Sequence, residues 1–274
     1  MPQQGPGSGM PQQGPTQTGG AACPDGPGVD TVEVSRSATH YTMFFTGCPQ
    51  YSPNGQKTPN TPTFQNRTVT FRISPILSSS PIYVGRLGAG GASNPTLVMG
   101  AIGYAINGVA IYNDANGGGE DAVVNEGPTL DSCRAHASPD GAYHYHSEPA
   151  AGCVYTDTPG AHSPLYGIMV DSVPLYGALG DGGRPPADLD ECGGHVDASV
   201  PYYHYHTTYN MTAPYTITCL KGCVEGRLGM TDYSAADCSP AAQQYSYASL
   251  SVPWTTPFRV AQPGEQLPTA RRRP

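Results

Sequence analysis

Apolar residues in this chain come in short runs broken by Gly, Pro or Asn, and no window repeats them with a sustained period near 3.6. That pattern predicts strands and loops with few, short helices. Two segments alternate apolar and polar residues, TVEVSRS at 31–37 and RTVTFRIS at 67–74. Alternation puts every second side chain on one face, as in half-buried strands, and predicts a short β region over 31–75. Two more apolar runs, GYAINGVAIYN at 103–113 and GIMVDSVPLYG at 167–177, each end near a Tyr and also read as strands. The ends differ in character. Residues 1–25 repeat MPQQGP around Gly and Ser, with almost nothing apolar to bury, and are expected to form a disordered arm. Residues 261–274, ending TARRRP, are expected to be a flexible tail.

The two apolar runs align without gaps at an offset of 64, with Gly103/Gly167, Val109/Val173 and Tyr112/Tyr176 identical. Each leads into a second shared frame, LDSCRAHASPDGAYHYH at 130–146 and LDECGGHVDASVPYYHYH at 189–206. The common order is Leu-Asp-x-Cys-x-x-His followed by Tyr-His-Tyr-His. The loop before this frame is five residues shorter in the second copy, and the gap from Cys to the box is one longer. Two copies are too few for a solenoid. The expected architecture is one mainly β domain over 26–260, in which two pseudo-symmetric β-rich halves (97–153 and 160–210) pack on each other. It has long Gly/Pro loops, disulfide links and few short helices, with a Cys-containing segment over 211–260.

Period-two geometry gives the boxes their chemistry. In an extended strand His144 and His146 share one face and Tyr143 and Tyr145 the other; His204 and His206 oppose Tyr203 and Tyr205 in the same way. Two imidazoles on one face can converge on an ion, and a third arrives from upstream, His136 in the first copy and His195 in the second. Three imidazoles with an open position suit zinc or copper. The candidate metal ligands are therefore His136, His144 and His146 in one site and His195, His204 and His206 in another, with the tyrosine faces seated in the core. The competing reading is that the histidines hydrogen-bond backbone carbonyls and hold the fold. His162, just before the second apolar run, is placed to join its cluster; His40 is peripheral. Asn107 and Asp171 occupy matched positions. Asn107-Gly108 is a strong turn signal, whereas Asp171 could be a ligand, a partner orienting a His, or a turn former.

Eight cysteines (Cys23, Cys48, Cys133, Cys153, Cys192, Cys219, Cys223 and Cys238) in a loop-rich chain read as a disulfide framework and an oxidising compartment. Their pairing stays open; the partners considered for Cys133 and Cys192 are each other, Cys153, Cys219, Cys223 and Cys238. Sequons at Asn66 and Asn210 fit a secreted or cell-surface glycoprotein. No secretory leader is visible, so the chain is expected to be a mature or partial form. The net charge of −8, with the one basic run Arg271–Arg273 in a tail, argues against a nucleic-acid partner, and no apolar stretch reaches membrane-spanning length. No GxSxG, phosphate-loop or dinucleotide fingerprint occurs.

The apolar strands, the Cys192-Gly193-Gly194-His195 turn and the boxes at 143–146 and 203–206 resemble the YHYH-domain protein family, over roughly 40–210. An upstream stretch, TGCPQYSPNG at 46–55, resembles a turn of that family, with Tyr51 where a His is often seen. The first copy departs from the pattern, with Arg134-Ala135 in place of the Gly pair. The resemblance implies a secreted or surface-attached domain and attaches no reaction to it. The resulting expectation is a non-enzymatic extracellular structural or surface protein, for instance a filament or coat subunit, that self-associates or binds other matrix components. The alternative is a metalloenzyme or metal carrier using three-His copper or zinc sites. A third reading is a glycan-binding module with tyrosines as stacking surfaces.

Overall fold

The structure is a computed structural model; it describes residues 21–23, 32–52, 58–229, 231–233 and 259–260. The Pro/Gln/Gly arm before residue 21, the tail from 261 and Cys238 lie outside the described residues. The strands in chain order are β1 (Val32–Arg36), β2 (His40–Phe45), β3 (Arg67–Arg72), β4 (Leu77–Tyr83), β5 (Gly103–Ala105), β6 (Ala110–Ile111), β7 (Ala135–Ala137), β8 (Tyr143–Tyr145), β9 (Leu165–Met169), β10 (Pro174–Tyr176), β11 (Gly194–His195), β12 (His204–His206), β13 (Cys219–Gly222), β14 (Gly226–Leu228), β15 (Thr231–Tyr233) and β16 (Arg259–Val260). The α-helical element among the described residues is one turn, α1 (Ala122–Asn125), beside brief 3₁₀ turns. The domain is therefore mainly β with few short helices, as the short apolar runs predict.

The alternating segments form the expected region: β1, β2 and β3 pair antiparallel, with β16 parallel on the outer side of β1. Val32, Val34, Met43, Phe45 and Phe71 face inward. Phe45 stacks on Tyr104 of β5, ring centroids 4.8 Å apart, and so joins this sheet to the next.

That next sheet has eight strands in the order β11-β12-β10-β9-β5-β6-β8-β7. Segments 97–153 and 160–210 give it four strands each. They meet edge to edge through the antiparallel pair β5–β9, with Gly103 opposite Met169 and Ala105 opposite Gly167, rather than packing face to face. Glycine is needed at this junction: a Cβ on Gly167 would collide with the Tyr104 carbonyl. Outward from the junction each side repeats one wiring. β6 runs parallel to β8, and β10 parallel to β12; the outermost strands, β7 and β11, return antiparallel.

Disulfides staple the loops. Cys133 pairs with Cys153, Cys192 with Cys219 on β13, and Cys23 with Cys48. Cys223 is disulfide-bonded as well. Each such link removes roughly 2–4 kcal/mol worth of freedom from the unfolded chain. Residues 21–23 fall inside the stretch expected to be a disordered arm, yet they are anchored: besides the disulfide, Ala22 bridges Thr63, and the Cys23 amide donates to the Pro62 carbonyl at 2.8 Å. Among the described residues no helix is long and apolar enough to cross a membrane.

Candidate metal centres

The Leu-Asp-x-Cys-x-x-His frame is a turn built by its aspartate. Asp131 Oδ1 accepts the amides of Cys133 (2.8 Å) and Ala135 (3.2 Å); Asp190 Oδ1 accepts those of Cys192 (3.0 Å) and Gly194 (3.1 Å). Each carboxylate also takes a box hydroxyl, Tyr143 on Asp131 and Tyr203 on Asp190. The turn needs a left-handed residue, and finds it in Arg134 (φ 65°) and Gly193 (φ 87°). The first copy's departure from a Gly pair thus keeps the backbone shape, with the residue type less suited to it. The turns feed β7 and β11, whose registers set His136 opposite His144 and His195 opposite His204.

The tyrosine faces are buried, as expected. Tyr145 is held by Tyr51 (2.7 Å) and Asn107 Nδ2 (3.2 Å), and Tyr51 also reaches Tyr143 at 3.1 Å. Tyr205 donates to Asp171 Oδ2 at 2.7 Å. Asn107 and Asp171 both close turns, accepting the amides of Val109 (3.2 Å) and Val173 (3.1 Å). Asp171 is therefore a tyrosine anchor and turn former, on the opposite face of the strand from the histidines. Burial lifts its carboxyl to about 6.

On the histidine face the ring nitrogens are sorted. In the first cluster Nδ1 of His144 donates to the Ala142 carbonyl (2.9 Å) and Nδ1 of His146 to the Asn113 carbonyl (2.6 Å). The Thr129 hydroxyl gives its proton to the Glu126 carbonyl, so it accepts from His136 Nδ1, at 2.8 Å. In the second cluster Nδ1 of His162, His204 and His206 donates to the carbonyls of Ser163 (2.7 Å), Tyr202 (2.9 Å) and Gly177 (2.6 Å). His195 Nδ1 donates to the Asp188 carboxylate at 2.8 Å. A neutral imidazole with its proton on Nδ1 carries a lone pair on Nε2.

Those lone pairs face one another. His144 Nε2 lies 3.0 Å from His146 Nε2, and Glu126 Oε2 lies 3.6 Å from Nε2 of both His136 and His146. In the second cluster His204 Nε2 is 3.0 Å from His206 Nε2 and 3.4 Å from His162 Nε2, while His195 Nε2 is 3.1 Å from His206 Nε2. Asp197 Oδ2 sits 3.4 Å from His162 Nε2 and 3.7 Å from His195 Nε2, and this buried oxygen has no hydrogen-bond partner. The short Nε2 pairs are not hydrogen bonds, because neither nitrogen of a pair has a proton to give. Protonation of the box rings and of His136 is not the remedy: burial holds His136 down to about 4, and burial with repulsion from neighbouring rings holds His146 down to about 4, His204 and His206 down to about 3, and His144 well below its ordinary value.

The donors fit a metal ion. Tetrahedral zinc with bonds of about 2.0–2.1 Å places its ligand atoms roughly 3.3–3.4 Å apart, close to the separations here. His136, His144 and His146 could hold one ion; His162, Asp197, His204 and His206, all within 4.8 Å of one another, could hold another, with His195 beside them. The outer partners on Nδ1 are the kind that fix a ligating imidazole in tautomer and angle. Nitrogen and oxygen donors without thiolate suit zinc or copper.

All six box and frame histidines named from the sequence are drawn into these two clusters, and His162 joins the second. His40 stays apart, bound to Glu225 Oε2 at 3.1 Å. The carboxylates Glu126 and Asp197 were missed. Glu126 sits in the loop before the first frame, and Asp197 in the variable stretch between the second frame's His195 and its box; an acidic residue before each stretch of frame or box was the available signal, and it is a common one.

Fold and clusters together define a disulfide-bonded β domain that presents two sets of inward histidines from Tyr-His-Tyr-His strands. Residues 89–184 match the model of the YHYH protein family, a stretch that contains the first box and runs through β10, and the chain carries a YHYH domain there. No curated protein and no solved structure matches it.

Proposed function

We propose that this is an extracellular metal-binding domain with two buried histidine–carboxylate centres, each taking one zinc or copper ion. Centre one comprises His136, His144, His146 and Glu126; centre two comprises His162, His195, His204, His206 and Asp197. One observation carries the reading. Every histidine in both centres spends its Nδ1 proton on an outward oxygen, leaving Nε2 lone pairs and an unpartnered Asp197 oxygen aimed into shared space. Packing lone pairs together away from water is costly unless a cation sits among them. A purely structural set of imidazoles would spend its second nitrogens on donors.

The two centres are read as copies of one ancestral unit. The offset of 64 makes Ala105 the counterpart of Met169 and Gly103 that of Gly167. The pairs Gly103–Met169 and Ala105–Gly167 then exchange with each other, as a twofold axis through the β5–β9 junction requires. Secretion and glycosylation belong to the same proposal. The disulfides fit an oxidising compartment, and Asn66 and Asn210 are both exposed.

Metal analysis of the full chain, secreted and purified without added metal, tests the reading. Two ions per chain are expected. His144→Ala with His146→Ala should remove one, and His204→Ala with His206→Ala the other. Protein that is metal-free yet natively folded, and that takes up neither zinc nor copper, would overturn it.

A further inference from the structure

The two centres differ in how they would close around an ion. Centre two offers five donors, more than a tetrahedral ion needs, and its carboxylate is fixed in advance: Asp197 Oδ1 accepts the Val200 amide at 2.7 Å, and the side chain is only 8% exposed. Centre one offers three imidazoles and Glu126. That carboxylate is 31% exposed, sits just beyond the end of the single-turn helix α1, and is held by no hydrogen bond among the described residues. The helix itself is tethered at its other end, where Asp121 caps it, pairs with Arg86 at 2.7 Å and accepts the Tyr215 hydroxyl. Glu126 is thus a loose side chain on a fixed base, lying between the imidazoles and solvent.

We propose that Glu126 is a displaceable fourth ligand, so that centre one admits a small external anion to its ion while centre two stays coordinatively closed. This rests on the metal reading above. Displacement breaks the metal–carboxylate bond and forms a metal–anion bond, with no change in oxidation state and no proton transfer. A weakly held, solvent-facing ligand is what separates a reactive metal site from a structural one, which keeps all positions filled from the protein.

The test uses cobalt(II), whose visible spectrum reports coordination, and azide as the anion. The chain is stripped with a chelator and reloaded. Two cobalt ions should bind, and azide should shift the bands of one. The azide-sensitive band should disappear in His146→Ala and persist in His204→Ala. Glu126→Ala, a partly exposed change that keeps all imidazoles, should leave two cobalt ions bound and tighten azide binding about tenfold or more, because the internal competitor is gone. Azide shifting both ions, neither ion, or only the ion lost in His204→Ala overturns the proposal while leaving two metal centres standing. So does unchanged azide affinity in Glu126→Ala. Failure to bind cobalt at all overturns the metal reading itself.

Discussion

The Tyr205 hydroxyl donates to the fully buried Asp171 carboxylate at 2.7 Å while accepting the Lys221 amide at 2.6 Å. It does so from the face of β12 that looks away from His204 and His206. One strand therefore carries two unrelated tasks: a hydrogen-bonded seat on one side and ligand donors on the other. Removing the hydroxyl strands the Lys221 amide and leaves Asp171 Oδ2, in a fully buried carboxylate, with the Gly222 amide at 2.8 Å as its remaining donor. Tyr205→Phe should cost about 2–3 kcal/mol, and Tyr145→Phe, whose partners are the neutral Tyr51 and Asn107, about 1 kcal/mol. Urea denaturation of the two variants checks the order; equal costs would contradict it.

Gly193 and Gly194 are adjacent but have different reasons to be glycine. Gly193 is left-handed, and an added Cβ would meet nothing closer than the His206 carbonyl at 3.7 Å. Gly193→Ala should therefore cost only the backbone strain, about 1–2 kcal/mol. A Cβ on Gly194 would collide with the Tyr203 hydroxyl, which sits on Asp190. Gly194→Ala should cost more and should also weaken the metal bound at centre two, because moving Tyr203 moves its neighbour His204. Metal affinity measured beside stability separates the two effects.

The metal-free protein should be sensitive to acid. Burial holds His136 and His146 down to about 4 and His204 and His206 down to about 3, against 6.5 for an unburied histidine. Between those values the unfolded chain binds protons that the folded chain refuses, so stability falls as pH drops from 6.5 and levels off near the folded values. Asp171, raised to about 6, works in the opposite sense between 3.8 and 6, and burial raises Asp114, Glu126 and Glu148 as well, so these carboxyls offset part of the fall set by the five lowered imidazoles, His144 included. Denaturation of chelator-treated protein across pH 7 to 3 is the measurement. A stability that rises as pH falls from 6.5 to 4 would refute the assignment.

Glycan attachment can be read by mass. Asn66 and Asn210 are exposed and left-handed, at φ 48° and 56°, a conformation asparagine tolerates. Expressed through a glycosylating secretory pathway, the chain should carry a glycan at each. Thr68→Ala and Thr212→Ala should each remove one, without altering the asparagine's backbone.

Much of this was legible in residue order, for physical reasons. Period-two alternation announced β1 and β3, and the Tyr-His-Tyr-His spacing implied a strand with two chemically distinct faces. Other features depended on loop paths, which have no period. Glu126 and Asp197 reach the clusters from loops that the two copies do not share in length. The partners of Cys133 and Cys192 follow from where 153 and 219 come to rest, and spacing alone does not choose among candidates. Asp171 looked like a possible ligand because its burial was visible and its direction was not. The mode of contact between the halves was also hidden: short apolar strands are equally compatible with stacking face to face and with joining at their edges.

The outermost strands of the eight-stranded sheet, β7 and β11, span only three and two residues, and each carries a histidine of one cluster. A sheet grows by recruiting a strand from another molecule along its rim, and so brief a rim offers few free amides and carbonyls to recruit with. An ion gripped by His136 or His195 would tie that rim back onto its neighbouring strand, like a rivet at each end of the sheet. Losing the ions would loosen the two places where an otherwise continuous sheet is exposed to strangers.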